Sequence, residues 1–171
     1  PKLATMLSAN DLHDLLLCAD AHGFTAVHLA AGHNNTEVLM EMLIALSNKQ
    51  LMVLLNTKTT EGDTMMHIVS KKSEFGKVTQ NLATMLGVND LYDLLLCADA
   101  QGFTAVHLSA AHNNTEVLKK MLIGLSNKQR IVLLNTKTRE GNTMMHIFAR
   151  GTEVDKMVHF IFQVFGGTGL D

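Results

Sequence analysis

Residues 23–39 read GFTAVHLAAGHNNTEVL, and residues 102–118 read GFTAVHLSAAHNNTEVL. Extended both ways at this offset of 79, residues 3–69 and 82–148 align without a gap and differ at 14 of 67 positions. A fainter period lies inside the long one. Gly23, Gly62, Gly102 and Gly141 follow one another at steps of 39, 40 and 39, and so do His28, His67, His107 and His146. The chain therefore carries four units of about 39–40 residues in the order A-B-A-B. A period of this size is the mark of units that stack, because one such unit cannot bury its apolar face alone.

Each unit follows one local plan. A turn comes first, DAHGFT, TTEGDT, DAQGFT or TREGNT, with Gly where a positive φ is needed. The Thr behind it (Thr25, Thr64, Thr104 or Thr143) suits a helix N-cap, since its hydroxyl can accept an unpaired backbone N–H. A short apolar helix follows, AVHLAAG or MMHIVSK, then a polar turn and a second helix. In NNTEVLMEMLIAL the apolar residues Val38, Leu39, Met42, Leu43 and Leu46 keep helical spacing along one stripe. SNKQLMVLLN opens with polar capping residues and extends the unit by one or two helical turns.

The run G-F-T-A-V-H-L-A-A, followed six residues on by E-V-L, resembles the ankyrin repeat, whose pattern is G-x-T-P-L-H-x-A-A with a later G-H-x-E-V-V. The resemblance covers nearly the whole chain. It implies an all-α, ankyrin-like helical repeat solenoid of helix-turn-helix units with projecting turns. The family's Pro is replaced by Ala26, Met65, Ala105 and Met144, which leaves the first helical turn less pre-organised. Its Gly-His falls on Asn34-Asn35 and Asn113-Asn114, and Asn tolerates the left-handed conformation next best after Gly. The units exceed the family's usual length by about six residues, assigned to the helical extension. On this plan residues 1–19 are the second half of a truncated unit, and 20–58, 59–98, 99–137 and 138–171 are four successive units, the last with a frayed tail.

At 171 residues, with 47% hydrophobic and 18% charged residues, the composition is that of a chain with a packed core. A net charge of -2 does not suit bulk nucleic acid as a partner. No run approaches the ~18 apolar residues of a membrane span. Cys18 and Cys97 hold equivalent places two layers apart. At roughly 8–10 Å per helix layer that is too far for a disulfide, whose Cα atoms lie within about 7 Å. They read as buried, reduced core residues and point to an intracellular setting. An array normally closes with a polar capping unit. Phe160, Ile161, Val164 and Phe165 are too apolar for one, and Pro1 is no natural start, so a longer chain is expected.

The nine histidines invite a catalytic or metal-binding reading. His28, His67, His107 and His146 sit at the third helical position after the Thr. The resemblance implies that this His ties turn to helix through hydrogen bonds involving the Thr. His33 and His112 follow at i+5, about 140° away round a helix, unlike an i,i+4 pair that shares one metal. His13 becomes Tyr92 and His22 becomes Gln101 in the near-identical copy. No phosphate-binding glycine loop, paired CxxC or nucleophile elbow occurs. No catalytic residue, metal or cofactor is therefore assigned.

What remains is surface. The resemblance implies that the turns project as fingers and that partners bind across them and the first helices, on a concave face. Carried over, the partner-binding positions are His22, Phe24 and His33 in the first A unit and Gln101, Phe103 and His112 in the second. The B units give Glu61, Asp63, Lys71 and Lys72, then Arg139, Glu140, Asn142 and Arg150. Each Phe follows a turn Gly and is either an exposed interface anchor or tucked against a neighbouring finger. The expected function is binding a protein or peptide without catalysis. An alternative is the targeting array of a larger enzyme or of an effector secreted into a host cytosol. Apolar ends would also allow head-to-tail self-association.

Overall fold

The computed structural model describes residues 6–151 and 154–166. Residues 1–5, at the start of the truncated first unit, and the tail at 167–171 lie outside the described residues. Those described are helical, with no strand beyond isolated bridges pairing Ala19 with Thr25 and Ala98 with Thr104. No helix among them is long and apolar enough to cross a membrane.

The helices are α1 (Ala9–Leu17), α2 (Ala26–Gly32), α3 (Thr36–Ile44), α4 (Asn48–Leu55), α5 (Met65–Ser70), α6 (Gly76–Leu86) and α7 (Val88–Leu96). The second copy continues with α8 (Ala105–Ala111), α9 (Thr115–Leu122), α10 (Asn127–Asn135), α11 (Met144–Arg150) and α12 (Val154–Phe165). The extension is thus a helix in its own right. Ser47 and Ser126 start α4 and α10 by accepting from the N–H of Gln50 and Gln129, whose side chains reach back to the Ser amides. That reciprocal pairing satisfies two of the four donors each helix start leaves open.

The expected conformations appear at the turns. Gly23, Gly62, Gly102 and Gly141 have φ of 79 to 84°, and Asn34 and Asn113 have φ of 58 and 53°. Asn35 and Asn114 then cap α3 and α9 through their side-chain oxygens. The B units lack this Asn pair. In the first of them a 3₁₀ turn, Ser73–Phe75, leads directly into α6 and drives Phe75 wholly into the core.

Packing runs in rows. α2 touches α5, α5 touches α8, and α8 touches α11. On another side α6, α9 and α12 lie side by side, and a third row runs α1, α4, α7, α10. The core fills the space between the rows with Leu39, Leu43, Leu54, Met66, Leu82, Leu118 and their neighbours, all inaccessible to solvent. Of the stripe read on α3, Leu39, Leu43 and Leu46 are buried, while Val38 faces out. Phe160 and Val164 are buried under α12, with Phe160 against Phe148 at a ring separation of 5.9 Å. α12 turns Val158 and Phe162 outward instead.

The cysteines correct the sequence reading. Cys18 is exposed and Cys97 half-buried, both as free thiols. They are the C-cap residues of α1 and α7, where the chain leaves the helix for the turn and the core has already ended.

Candidate partner-binding surface

Four turns, each ahead of a helix of the first row, carry most of the residues singled out from sequence. Asp20 builds the first. Its Oδ1 accepts from the amides of Phe24 and His22, both at 2.9 Å, and these bonds hold its carboxyl below the usual range. Asp99 does the same for Phe103 and Gln101 at 2.8 Å. In the B units Thr59 and Thr138 replace the carboxylate with a hydroxyl, accepting from Asp63 at 3.1 Å and Asn142 at 3.2 Å.

Successive turns are hydrogen-bonded to each other. The amide of Thr60 donates to the His22 carbonyl (2.9 Å), that of Ala100 to Glu61 (3.0 Å) and that of Arg139 to Gln101 (3.0 Å). The turns approach so closely that a Cβ on Gly23, Gly62 or Gly102 would come within 2.7–2.9 Å of the next turn's backbone. Gly141, with no turn beyond it among the described residues, has open space there.

The four repeated histidines fasten this surface. In each unit the N-cap Thr donates its backbone N–H to Nδ1 of the His three residues on, at 3.1–3.3 Å, with the Thr hydroxyl at 2.8–2.9 Å. An accepting Nδ1 assigns the proton to Nε2. From there His67 donates to the Phe103 carbonyl at 2.9 Å and His107 to that of Thr136 at 3.0 Å. The carbonyls of Thr57 and Asp63 face His28 in the same way, but its Nε2 reaches neither with hydrogen-bonding geometry. Burial pushes the pKa of His28, His67 and His107 down. His146 is exposed.

Phe24 and Phe103 take a middle course between the two expected placements. Each is half-buried, its ring edge-on to the His of its own unit at 6.1 and 6.0 Å. His22 and Gln101 stay exposed. His33 and His112 lie past the ends of α2 and α8, their Nδ1–H donating to the Leu29 and Leu108 carbonyls at 2.9 Å.

The charged positions pair internally. Lys71 meets Asp63 at 3.4 Å, and Lys72 donates to the Gly32 carbonyl at the end of α2. In the second copy the pair becomes Arg150 and Asn142, 3.1 Å apart, and Asn142 in turn donates to Glu140 at 3.1 Å. Glu61 and Arg139 are exposed at the turn tips. Phe103, Asn142 and Arg150 converge on one cleft of about 320 Å³, floored by Ala110, Ala111 and Ile147. The other sequence-derived positions do not join it. Ile147 was missed, and its signal was available: it is a large apolar residue on the short α11, directly beside the repeated His.

No model of a known protein family matches the chain. No curated protein is significantly similar to it.

Proposed function

We propose that the chain is an ankyrin-like repeat solenoid acting as a protein-interaction module, with the turns and first-row helices as the face that receives a protein or peptide. The module carries no chemistry of its own. Turns hydrogen-bonded edge to edge, over a row of helices fastened by a repeated Thr–His pair, support a rigid, extendable recognition face rather than a closed catalytic cleft.

One observation carries the reading. A half-buried aromatic, an arginine held by a neutral Asn and the apolar Ala110, Ala111 and Ile147 come together where α8 and α11 meet the third and fourth turns. An apolar recess with a few placed polar groups is what a partner's anchoring side chain needs.

The test is capture of partners from the native cell's lysate by wild type and by a Phe24→Ala, Phe103→Ala double variant of equal helicity. A protein retained by the first and lost by the second supports the turn face. Capture of the same proteins by both overturns it.

A further inference from the structure

In the row of second helices the two copies differ in a way their shared sequence does not suggest. α3 and α6 in the first copy correspond, 79 residues on, to α9 and α12 in the second. α9 and α12 pack closely, whereas α3 and α6 touch only sparsely. Between the latter pair lies a groove of about 330 Å³ walled by Met40, Ile44, Asn81, Thr84 and Met85. Its counterpart, beside Lys119, Ile123, Gln163 and Val164, has about 60 Å³ left.

Arg130 accounts for the closure. Its guanidinium donates to three backbone carbonyls at the ends of the two helices: Leu122 (3.0 Å) and Ile123 (3.0 Å) at the end of α9, and Val164 (2.8 Å) in α12. In the first copy the equivalent residue is Leu51, buried in the core and without a donor. The equivalent carbonyls, of Leu43, Ile44 and Met85, again sit where two helices end together. Helix C-termini carry partial negative charge and favour a cation.

The charges nearby changed in the same direction. Five of the fourteen differences between the copies fall between 40 and 52. Lys119 and Lys120 of the second copy are Met40 and Glu41 in the first. At 100° per residue Glu37, Met40, Glu41 and Ile44 share one face of α3. The first groove therefore has the apolar Met40, Ile44 and Met85 beside the polar Asn81 and Thr84, with the Asn81 amide 4.0 Å from the Met40 sulfur; Glu37 and Glu41 lie on the same face of α3, and Lys77 of α6 is a turn away from Asn81.

We propose that the α3–α6 groove is a docking site for an arginine presented by a partner polypeptide, which there takes the place that Arg130 fills in the second copy. The arginine's methylene stem lies along Met40, Ile44 and Met85, and its fork reaches the carbonyls at the ends of α3 and α6. This site is separate from the turn face and does not depend on it.

The probe is Nα-acetyl-arginine methylamide, titrated into the isotope-labelled chain and followed by amide chemical shifts. Saturable shifts are expected at Ile44, Ala45, Leu86 and Gly87, with the neutral citrulline analogue at least about tenfold weaker. Arg130→Leu should add a second set of shifts at Ile123 and Gly166. Leu51→Arg should plug the groove and abolish the first set. Because Leu51 is buried, a Glu37→Gln, Glu41→Gln double variant on the accessible face of α3 provides a parallel test and should weaken binding about threefold. Equal response to both probes, shifts centred elsewhere, no shifts, or no effect of the double variant overturns the assignment.

Discussion

Nε2 of His67 and the backbone carbonyl of Phe103, 36 residues apart, meet at 2.9 Å, while Nδ1 of the same ring accepts from Thr64 at 3.1 Å. One buried imidazole thus ends a helix start and joins it to the turn of the following unit. Removing it strands a buried donor and a buried acceptor and leaves a void. His67→Ala should cost about 3 kcal/mol in urea unfolding. His146→Ala, at the exposed end of the same series, should cost under about 1 kcal/mol. Equal losses would mean that the bond between units contributes nothing.

The same burial makes stability depend on pH. His28, His67 and His107 have native values below the ordinary 6.5, so between the two values the unfolded chain binds more protons. Their stabilising effect is complete above 6.5 and is lost as pH falls from there towards the lowered native values. Within that window each ring can contribute up to about 1.4 kcal/mol per pH unit. The melting temperature should drop by several degrees between pH 7.5 and 5.5, and His67→Gln should shallow that drop. A flat profile would show that the rings titrate alike in the folded and unfolded chain. The lowered Asp20 value acts in a separate window, below 3.8.

Backbone chemistry was the legible part. Gly at the turn and Asn at the left-handed corner are among the few residues that suit a positive φ, and Thr at the cap brings the hydroxyl that a helix start calls for, so reading the type gives the conformation. In the A units the extension reads as one or two helical turns and forms a helix of eight or nine residues; which of its sides is buried was not legible, because LMVLL and its counterpart RIVLL pack on neighbouring units and show no stripe of their own until they are in place. Cys18 was misjudged for a related reason: a small apolar residue at the end of an apolar run looks buried until the helix end is known. The open groove was not legible at all. It depends on how far α3 stands from α6, a distance set between rows of helices, and Leu51 and Arg130 look like ordinary variation until their surroundings are compared.

Gly102 and Gly141 separate local strain from packing. Both have φ of 82°, so Ala pays the same conformational cost of about 1 kcal/mol at each. A Cβ at Gly102 also meets the Arg139 nitrogen at 2.7 Å, whereas at Gly141 it meets nothing within 4 Å. Gly102→Ala should therefore be worse than Gly141→Ala by about 1–2 kcal/mol. Denaturant midpoints on the two variants give the difference directly, and parity would mean that the turns slide apart without loss.

The two thiols should be distinguishable by rate. Cys18 is exposed at the end of α1. Cys97 is half-buried, its Sγ lies 3.2 Å from Asn56 Oδ1, and burial raises its pKa. A higher pKa leaves less thiolate, the form that attacks. At pH 8 a disulfide reagent should label Cys18 about tenfold faster than Cys97. Cys18→Ser should remove the fast phase and leave the slow one; a fast phase that survived would assign it to Cys97 instead.

Arg130 offers the last and most local test of how the copies diverged. Three of its N–H groups end on carbonyls of α9 and α12, so a leucine there loses charge-assisted bonds and gains nothing the core lacks. Arg130→Leu should cost about 2 kcal/mol. The loss should concentrate in α12, whose amides should exchange faster, while α3 and α6, which already manage with Leu51, stay unchanged. Uniformly faster exchange across the chain would instead mean that Arg130 supports the whole core rather than the docking of one helix.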